Sequence, residues 1–210
     1  MKLYHSPGSP NSRRVRIFTA EKGLDVEFVP IDLGTREQLS ESYRSINPRA
    51  VVPALVLNDG TVIGEVPAIM RYLDDVFPAK PLFGANPQER AIVSMWERRV
   101  ELEGFAAAME GLRNKLPGLQ DRAISGPHDY AQIPALVERS QLRLANFYSD
   151  FEAHLADVEF VAGSAFSAAD ITLLVTIDFA TKGFSTPIPD GSTALARWYQ
   201  TVSARPSALK

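Results

Sequence analysis

A cluster of small polar residues near the start of the chain has the residue types and spacing of an anion site. The segment Lys2–His5 predicts a short strand, and the loop after it opens a helix that continues to about Lys22. Ser9, Asn11 and Ser12 lie where this helix begins. The free N–H groups of a first helical turn, at the positive end of the dipole, favour a phosphate, a carboxylate or a thiolate. Alternatively, Ser9 or Ser12 only caps the helix.

A second segment has the pattern of a hairpin whose first strand begins with a proline. Asn58-Asp59-Gly60 separates two apolar runs, which is a strong signal of a tight turn. Pro53 begins the first apolar run and has no backbone N–H to donate to a neighbouring strand. It therefore suits an edge strand, the start of a strand or a cis peptide bond. The backbone groups of Val52 are then free to pair with an extended peptide by strand addition. Glu65 ends the second strand and precedes a helix.

Four motifs resemble those of the cytosolic glutathione transferases, and most of all those of bacterial serine-type members (theta-, zeta- or nu-like). They are SPNSRRVRI after the first strand, NPRAVVPAL, GEVPAIMRYLDD, and SAFSAADITLL in the second half. Each motif alone is modestly specific, but four in this order and spacing are strong. The resemblance covers nearly the whole chain. It implies an α/β thioredoxin-like N-terminal domain, an all-α C-terminal domain and glutathione as the cosubstrate.

The resemblance places the thiol chemistry in the loop after the first strand. In serine-type members a serine hydrogen-bonds the sulfur of glutathione, and the matching residue here is Ser9. Ser12 is the second candidate, although we expect it to cap the helix. Asn11 could supply a second donor to the sulfur, or it is only a turn residue. Such surroundings lower a thiol pKa from about 8.5 into roughly 3.5–7.5, and the thiolate is the nucleophile.

The resemblance places the rest of the tripeptide site at the hairpin, with two departures from the family pattern. Val52 and Pro53 form the edge that pairs with the peptide, and Glu65 can meet the γ-glutamyl ammonium. Val66 stands where a serine is usual and offers only its backbone N–H to the γ-glutamyl carboxylate. Val51 stands where Lys or Gln is frequent, so the glycyl carboxylate needs another partner. The candidates for that partner are Arg49 first, and Arg36 or Gln38 after it. The departures predict weakened glutathione affinity, or compensation elsewhere.

The electrophile is expected in the cleft between the two domains. Its walls are predicted to come from the loop around Ser9 and Pro10 and from the first long helix, which contributes Phe105 and Met109. Further candidates on that helix are Leu112 and Trp96. The alternative for the helix residues is a purely structural one, because apolar side chains at helical spacing also form cores.

Composition limits the function classes. The chain has 210 residues and a formal net charge of −3, which argues against a general nucleic-acid or anionic-membrane binder. It has no cysteine, so any redox work must use thiols of the substrate. The three histidines lie far apart without ligand spacing, so we expect no metal site. No apolar run approaches the ~20 residues of a membrane span, and no signal-peptide pattern begins the chain, so we expect a cytoplasmic enzyme.

The pattern of predicted elements divides the chain into two parts. Strands and helices alternate over residues 1–77, and the Pro-rich residues 78–87 are predicted to be a linker. From residue 88 to 210 every long segment has helical period, so an all-helical domain that forms the electrophile site is expected. Ser167 and Asp170 have the spacing of a capping box, which assigns Asp170 a structural role.

Three functions remain open from the sequence. The first is a glutathione transferase in which Ser9 activates the thiolate for attack on an apolar electrophile or a peroxide. The second is a glutathione-dependent disulfide reductase that uses Ser9 and Asn11. The third is a non-catalytic binding module of the same fold, which the Val66 departure favours. The resemblance also implies a homodimer.

Overall fold

The structure is a computed structural model that describes all 210 residues. Its chain forms two compact units. Unit 1 comprises Met1–Pro81 together with Ser125–His128 and Lys210, and unit 2 comprises Leu82–Ile124 and Asp129–Leu209.

Unit 1 is built on a four-stranded sheet flanked by helices. Its strands and helices are β1 Lys2–His5, α1 Pro10–Lys22, β2 Glu27–Pro30, α2 Glu41–Arg44, β3 Ala54–Val56, β4 Val62–Ile63 and α3 Val66–Val76. The strand order is β2-β1-β3-β4, with β1 parallel to β2, and with β3 antiparallel to both β1 and β4. This is the α/β domain that the resemblance implies.

The register of the sheet brings four chain segments to one edge. Tyr4 pairs with Ala54 and Leu55 pairs with Ile63, so the end of β1, the beginning of β3 and the end of β4 coincide. The end of β2 lies at the same edge because β1 and β2 are parallel. The loop before α1, the residues before β3, the residues after β4 and the residues after β2 therefore gather there.

Helices α1 and α3 pack together around a buried ion pair. The Lys22 ammonium donates to Asp74 Oδ1 at 2.6 Å, and its side chain is fully buried. It also donates to the carbonyl oxygen of Lys80 at 3.0 Å. These contacts give the buried ammonium three acceptors when the carbonyl of Ala79 is included. A buried charge needs such partners to offset its desolvation.

Unit 2 is all-helical. Its helices are α4 Pro87–Arg99, a π-helical segment Val100–Phe105, α5 Ala106–Lys115, α6 Ala135–Asp157, α7 Ala168–Phe184 and α8 Thr193–Ser203. The first long helix of the sequence prediction thus runs without a break from α4 to α5, and its middle turn is π-helical. The predicted capping box is confirmed at the start of α7, where Asp170 Oδ2 accepts from the Ser167 backbone N–H at 2.9 Å.

The close packing of α5 against α7 depends on a glycine. A β-carbon at Gly111 would overlap the aromatic ring of Phe184, which is 1% exposed. We expect Gly111→Ala to destabilise the protein by about 1–3 kcal/mol through overpacking, although alanine is the better helix former by about 1 kcal/mol. Urea unfolding measures this change. Gly8→Ala is the control, because nothing lies within 4 Å of a β-carbon there. A more stable Gly111→Ala protein would mean that the ring moves aside freely.

Candidate active site

Ser9 is the N-cap of α1. Its backbone is extended (φ −82°, ψ 122°), and its Oγ accepts a hydrogen bond from the Ser12 N–H at 3.2 Å. Ser12 lies three residues further on, inside the first turn, and its own Oγ accepts from the Ser6 N–H at 3.2 Å. The prediction that Ser12 caps the helix is therefore wrong. Local preference cannot separate two serines, and the backbone conformation of residue 9 decides between them.

The N-cap arrangement leaves Ser9 with a proton to donate. Its hydroxyl uses a lone pair to accept from Ser12, so the O–H bond is free to point elsewhere. Pro10 has no N–H, and the N–H of Asn11 at the second helical position has no acceptor within the helix. The Asn11 Oδ1 accepts from Arg14 Nη1 at 3.3 Å, which leaves its amide N–H groups as the available donors. Ser9 is 7% exposed.

Arg16 holds the loop that precedes Ser9. Its Nη1 donates to the carbonyl oxygen of Ser6 and its Nη2 to that of Pro7, both at 3.1 Å. Nη1 also lies 3.3 Å from His5 Nδ1. Because arginine can only donate, His5 must accept through Nδ1 and is therefore neutral in this arrangement. Burial, and next the charge of Arg16, lower the pKa of His5 from its usual 6.5.

This lowered pKa predicts a loss of stability in acid. Below pH 6.5 the His5 of the unfolded chain is protonated. In the folded protein His5 stays neutral until the pH falls to its lower pKa. The unfolded state then binds more protons, so the free energy of unfolding falls as the pH falls through this window. Urea unfolding between pH 7 and pH 5 measures the effect. His5→Asn keeps an acceptor without titrating, and an equal acid loss in that variant would rule His5 out as the cause.

The residues before β3 present an unpaired stretch of backbone. The Val52–Pro53 peptide bond is cis, as the sequence allowed. The carbonyl oxygen of Val51 accepts from Tyr43 Oη at 2.7 Å and from Asn47 Nδ2 at 2.8 Å, which fixes the segment. Burial raises the pKa of Tyr43 to about 12, so it donates this bond at any ordinary pH. The N–H and C=O groups of Val52 have no hydrogen-bond partner in the chain.

Helix α3 begins without a side-chain cap. Glu65 precedes it with φ 61° and ψ 126°, a conformation that side chains rarely adopt, and its carboxylate is exposed. Val66 is 4% exposed and Pro67 follows it. The Val66 and Ala68 N–H groups at this helix end therefore have no side-chain acceptor. An anion placed there would be favoured by the dipole.

Two residues predicted for a carboxylate differ in burial. Arg49 is exposed, and its backbone N–H donates to Asn47 Oδ1 at 3.1 Å. Gln38 lies in the segment after β2 and is only 4% exposed, yet its Oε1 has no hydrogen-bond partner. A buried amide oxygen without a donor costs about 1–3 kcal/mol. Gln38 is thus the stronger of the two candidates for a ligand contact. Only its burial in the structure shows this.

The residues predicted for the electrophile lie on the long helix of unit 2. Phe105 closes the π-helical segment, is 6% exposed and packs on Phe179 with ring centroids 5.8 Å apart. Met109 follows one turn later in α5 and is half-buried. Trp96 stacks on His154 at 3.8 Å between ring centroids, which gives it a partner within the helical unit.

Both units match known families. Residues 3–81 match the glutathione S-transferase N-terminal domain and residues 134–201 match the glutathione S-transferase C-terminal domain. Glutathione S-transferase 2 of Saccharomyces cerevisiae is 32% identical over 213 residues, which cover all of this chain and 88% of that protein. The chain belongs to the glutathione S-transferase family. It is therefore a transferase of a family that uses glutathione as its cosubstrate.

Two solved structures support this assignment for the whole glutathione S-transferase chain. Gtt2 from Saccharomyces cerevisiae is 32% identical and superposes with a TM-score of 0.89, covering 100% of this chain and 99% of that one. A class Gtt2 glutathione S-transferase from Vibrio parahaemolyticus is 38% identical with a TM-score of 0.83, covering 99% of this chain and 95% of that one.

Most of the predicted site residues of this glutathione S-transferase gather at one edge of the sheet. These are Ser9, Pro10, Asn11, Val52, Pro53, Glu65 and Val66. No group of three or more His, Cys, Asp or Glu side chains is placed to hold a metal ion. None of the helices combines the length and apolar character that crossing a bilayer requires.

Proposed function

We propose that this glutathione S-transferase activates glutathione through Ser9. The observation that carries the proposal is the N-cap geometry. The Ser9 hydroxyl accepts from the Ser12 N–H and keeps its proton for the sulfur. A donor at the positive end of α1 stabilises the thiolate over the thiol. The bound thiol pKa then falls, and the nucleophile is present at neutral pH.

The remaining groups of glutathione fit the other segments at this edge. The unpaired N–H and C=O of Val52, beside Pro53, can pair with the cysteinyl backbone in the manner of an added strand. The exposed Glu65 carboxylate can meet the γ-glutamyl ammonium. The uncapped end of α3 at Val66 can receive the γ-glutamyl carboxylate through backbone N–H groups. This arrangement compensates in part for the missing serine hydroxyl.

The glycyl carboxylate has two candidate partners in this proposal. Arg49 supplies an exposed charge, and Gln38 supplies a buried amide whose Oε1 lacks a donor. If the Gln38 amide turns by half a rotation, its N–H groups take the place of its oxygen and can donate to a carboxylate. We therefore place Arg49 and Gln38 together at the glycyl end.

The electrophile in this proposal is an apolar molecule or a peroxide. Phe105 and Met109 of the helical unit supply apolar surface for it. The sulfur attacks, a carbon–sulfur or sulfur–oxygen bond forms, and the leaving group departs with its electron pair. We also propose a cytoplasmic homodimer on the strength of the resemblance, and size-exclusion chromatography with light scattering tests the oligomeric state.

A disulfide reductase is the second candidate, favoured by Asn11. Because Arg14 engages the Asn11 Oδ1, its amide N–H groups are left to act as a second donor to sulfur. The thiolate of a second glutathione would then attack the glutathione sulfur of a mixed disulfide. The old disulfide bond breaks, oxidised glutathione forms, and the substrate leaves as its thiolate. Both thiols come from substrate, since the chain has no cysteine.

The experiment that tests the proposal is a pH titration of the thiolate absorbance of glutathione with and without the protein. We expect a bound thiol pKa well below about 8.5. Saturable binding without a shift would contradict activation by Ser9. No binding at millimolar glutathione would favour the non-catalytic binding module, with the Val51 and Val66 departures as the cause.

A further inference from the structure

Two arginines of unit 2 lie together without a carboxylate. Arg113, in the last turn of α5, donates through Nη2 to the carbonyl oxygen of Arg122. Its Nε–H is buried and has no acceptor. Burial, and next the nearby charge of Arg122, lower the pKa of Arg113. The side chain of Arg122 makes no hydrogen bond or ion pair within the chain.

Other arginines of the helical unit do have partners within the chain. Four of them have carboxylate partners, at distances of 2.6 to 3.6 Å: Arg98 with Glu101, Arg99 with Glu103, and Arg139 and Arg143 with Glu110. Glu110 is on the same helix as Arg113, but it is occupied by those arginines and by Ser140 Oγ at 2.9 Å. Asp121 and Asp129 of the adjoining loop are exposed and form no ion pair.

The loop that carries Arg122 is fixed in place. Arg122 forms a β-bridge with Tyr130, and its N–H donates to the carbonyl oxygen of Leu119 at 2.9 Å. Gln132 Nε2 donates to the carbonyl oxygen of Arg113 at 2.7 Å, which ties the loop to the end of α5. The backbone of Arg122 is thus held against the Arg113 guanidinium before any ligand arrives, which keeps the Arg122 side chain in its neighbourhood. Holding two like charges together has a cost that a bound anion would remove.

We propose that Arg113 and Arg122 bind a carboxylate carried by the electrophile. The inference rests on the proposed function, in which Phe105 and Met109 contact the apolar body of that molecule. Arg113 follows Met109 by four residues, so the two side chains share a face of α5. A guanidinium group presents its N–H donors in the geometry that a carboxylate accepts. The substrate class is therefore an aromatic or apolar electrophile with an acidic group.

The test compares two electrophiles of matched shape, 4-chloro-3-nitrobenzoate and 4-chloro-3-nitrobenzamide. In both, the thiolate attacks the carbon that bears chlorine, the carbon–sulfur bond forms, and chloride leaves with the bonding electron pair. The carboxylate or amide is unchanged. We expect kcat/KM to favour the benzoate, and Arg113→Met and Arg122→Met each to reduce that preference about tenfold or more. Arg98→Met is the control, because Arg98 is exposed and pairs with Glu101.

A binding measurement keeps the test independent of turnover. Titration calorimetry with 3-nitrobenzoate and 3-nitrobenzamide, in the presence of S-methylglutathione, should show preferential benzoate binding that Arg122→Met weakens. Arg122→Met leaves the Arg113 hydrogen bond to the backbone in place, so it tests the charge even if Arg113→Met fails to fold. Equal preference in all variants overturns the inference. The inference is also overturned if 3-nitrobenzoate binds without inhibiting turnover of the benzamide electrophile. The anion site would then be separate from the electrophile site.

Failure of this inference is distinguishable from failure of the proposed function. Ser9→Ala should lower turnover of both electrophiles by the same factor, whereas the arginine variants change only their ratio. If Ser9→Ala has no effect while the ratio still depends on Arg113 and Arg122, the thiol activation is wrong and the carboxylate site stands.

Discussion

Ser9→Ala should lower kcat/KM for conjugation roughly 10- to 100-fold near pH 6.5, because the bound thiol pKa returns towards about 8.5. The hydroxyl proton that points away from Ser12 is the group removed. Stopped-flow conjugation rates and the thiolate absorbance of bound glutathione measure the two parts of this effect. Glutathione affinity should change little, since in the proposed complex the rest of the tripeptide meets Val52, Glu65 and the end of α3.

The same substitution removes a helix cap, which by itself costs about 1 kcal/mol of stability. Ser40→Ala is the matched control. Ser40 caps α2, and its Oγ accepts from the Tyr43 N–H at 3.2 Å, the same distance as in the Ser9 cap. We expect Ser40→Ala to show the stability loss without the loss of rate. Ser9→Thr, which keeps a hydroxyl, should retain most of the activity. Unchanged turnover in Ser9→Ala would remove Ser9 from the mechanism.

Asp170→Ala should destabilise the protein by about 3–5 kcal/mol, because several buried donors lose their acceptor together. Its Oδ1 accepts from Trp198 Nε1 at 2.8 Å and from the Val161 N–H at 2.9 Å. Its Oδ2 accepts from the N–H and Oγ of Ser167, both at 2.9 Å. Burial raises the pKa of Asp170, and these hydrogen bonds oppose that shift. Urea unfolding followed by tryptophan fluorescence measures the loss.

Ser167→Ala is a smaller change in the same hydrogen-bond network, with which the effect of Asp170→Ala can be compared. It removes one hydroxyl donor and leaves the other contacts of Asp170 intact, so we expect about 1 kcal/mol. A loss below 1 kcal/mol in Asp170→Ala would mean that water or a rearranged α8 satisfies the donors. Catalysis in folded Asp170→Ala should be near normal, because the residue acts on stability through the start of α7.

Local chemistry in the sequence accounts for much of the fold. The end of α1 at Gly23, the turn at Asn58-Asp59-Gly60 and the capping box of Ser167 and Asp170 are each fixed by residues a few positions apart. Such signals act within one turn of chain, so they can be recognised without knowing the fold. They also place the loop after β1 and the residues before β3 as the segments that could do chemistry.

Only the tertiary structure decides which residues meet and which remain unsatisfied. The conformation of residue 9 makes Ser9 the cap, where two serines were equivalent by type. Tertiary packing buries Gln38 and leaves Arg49 exposed, although both are polar residues near the same predicted strands. The loop after α5 sets Arg122 beside Arg113, nine residues away, and no local pattern encodes that pairing. Sequence thus determined the capping box, the tight turns and the family, while tertiary structure determined the cap of α1, burial and charge pairing.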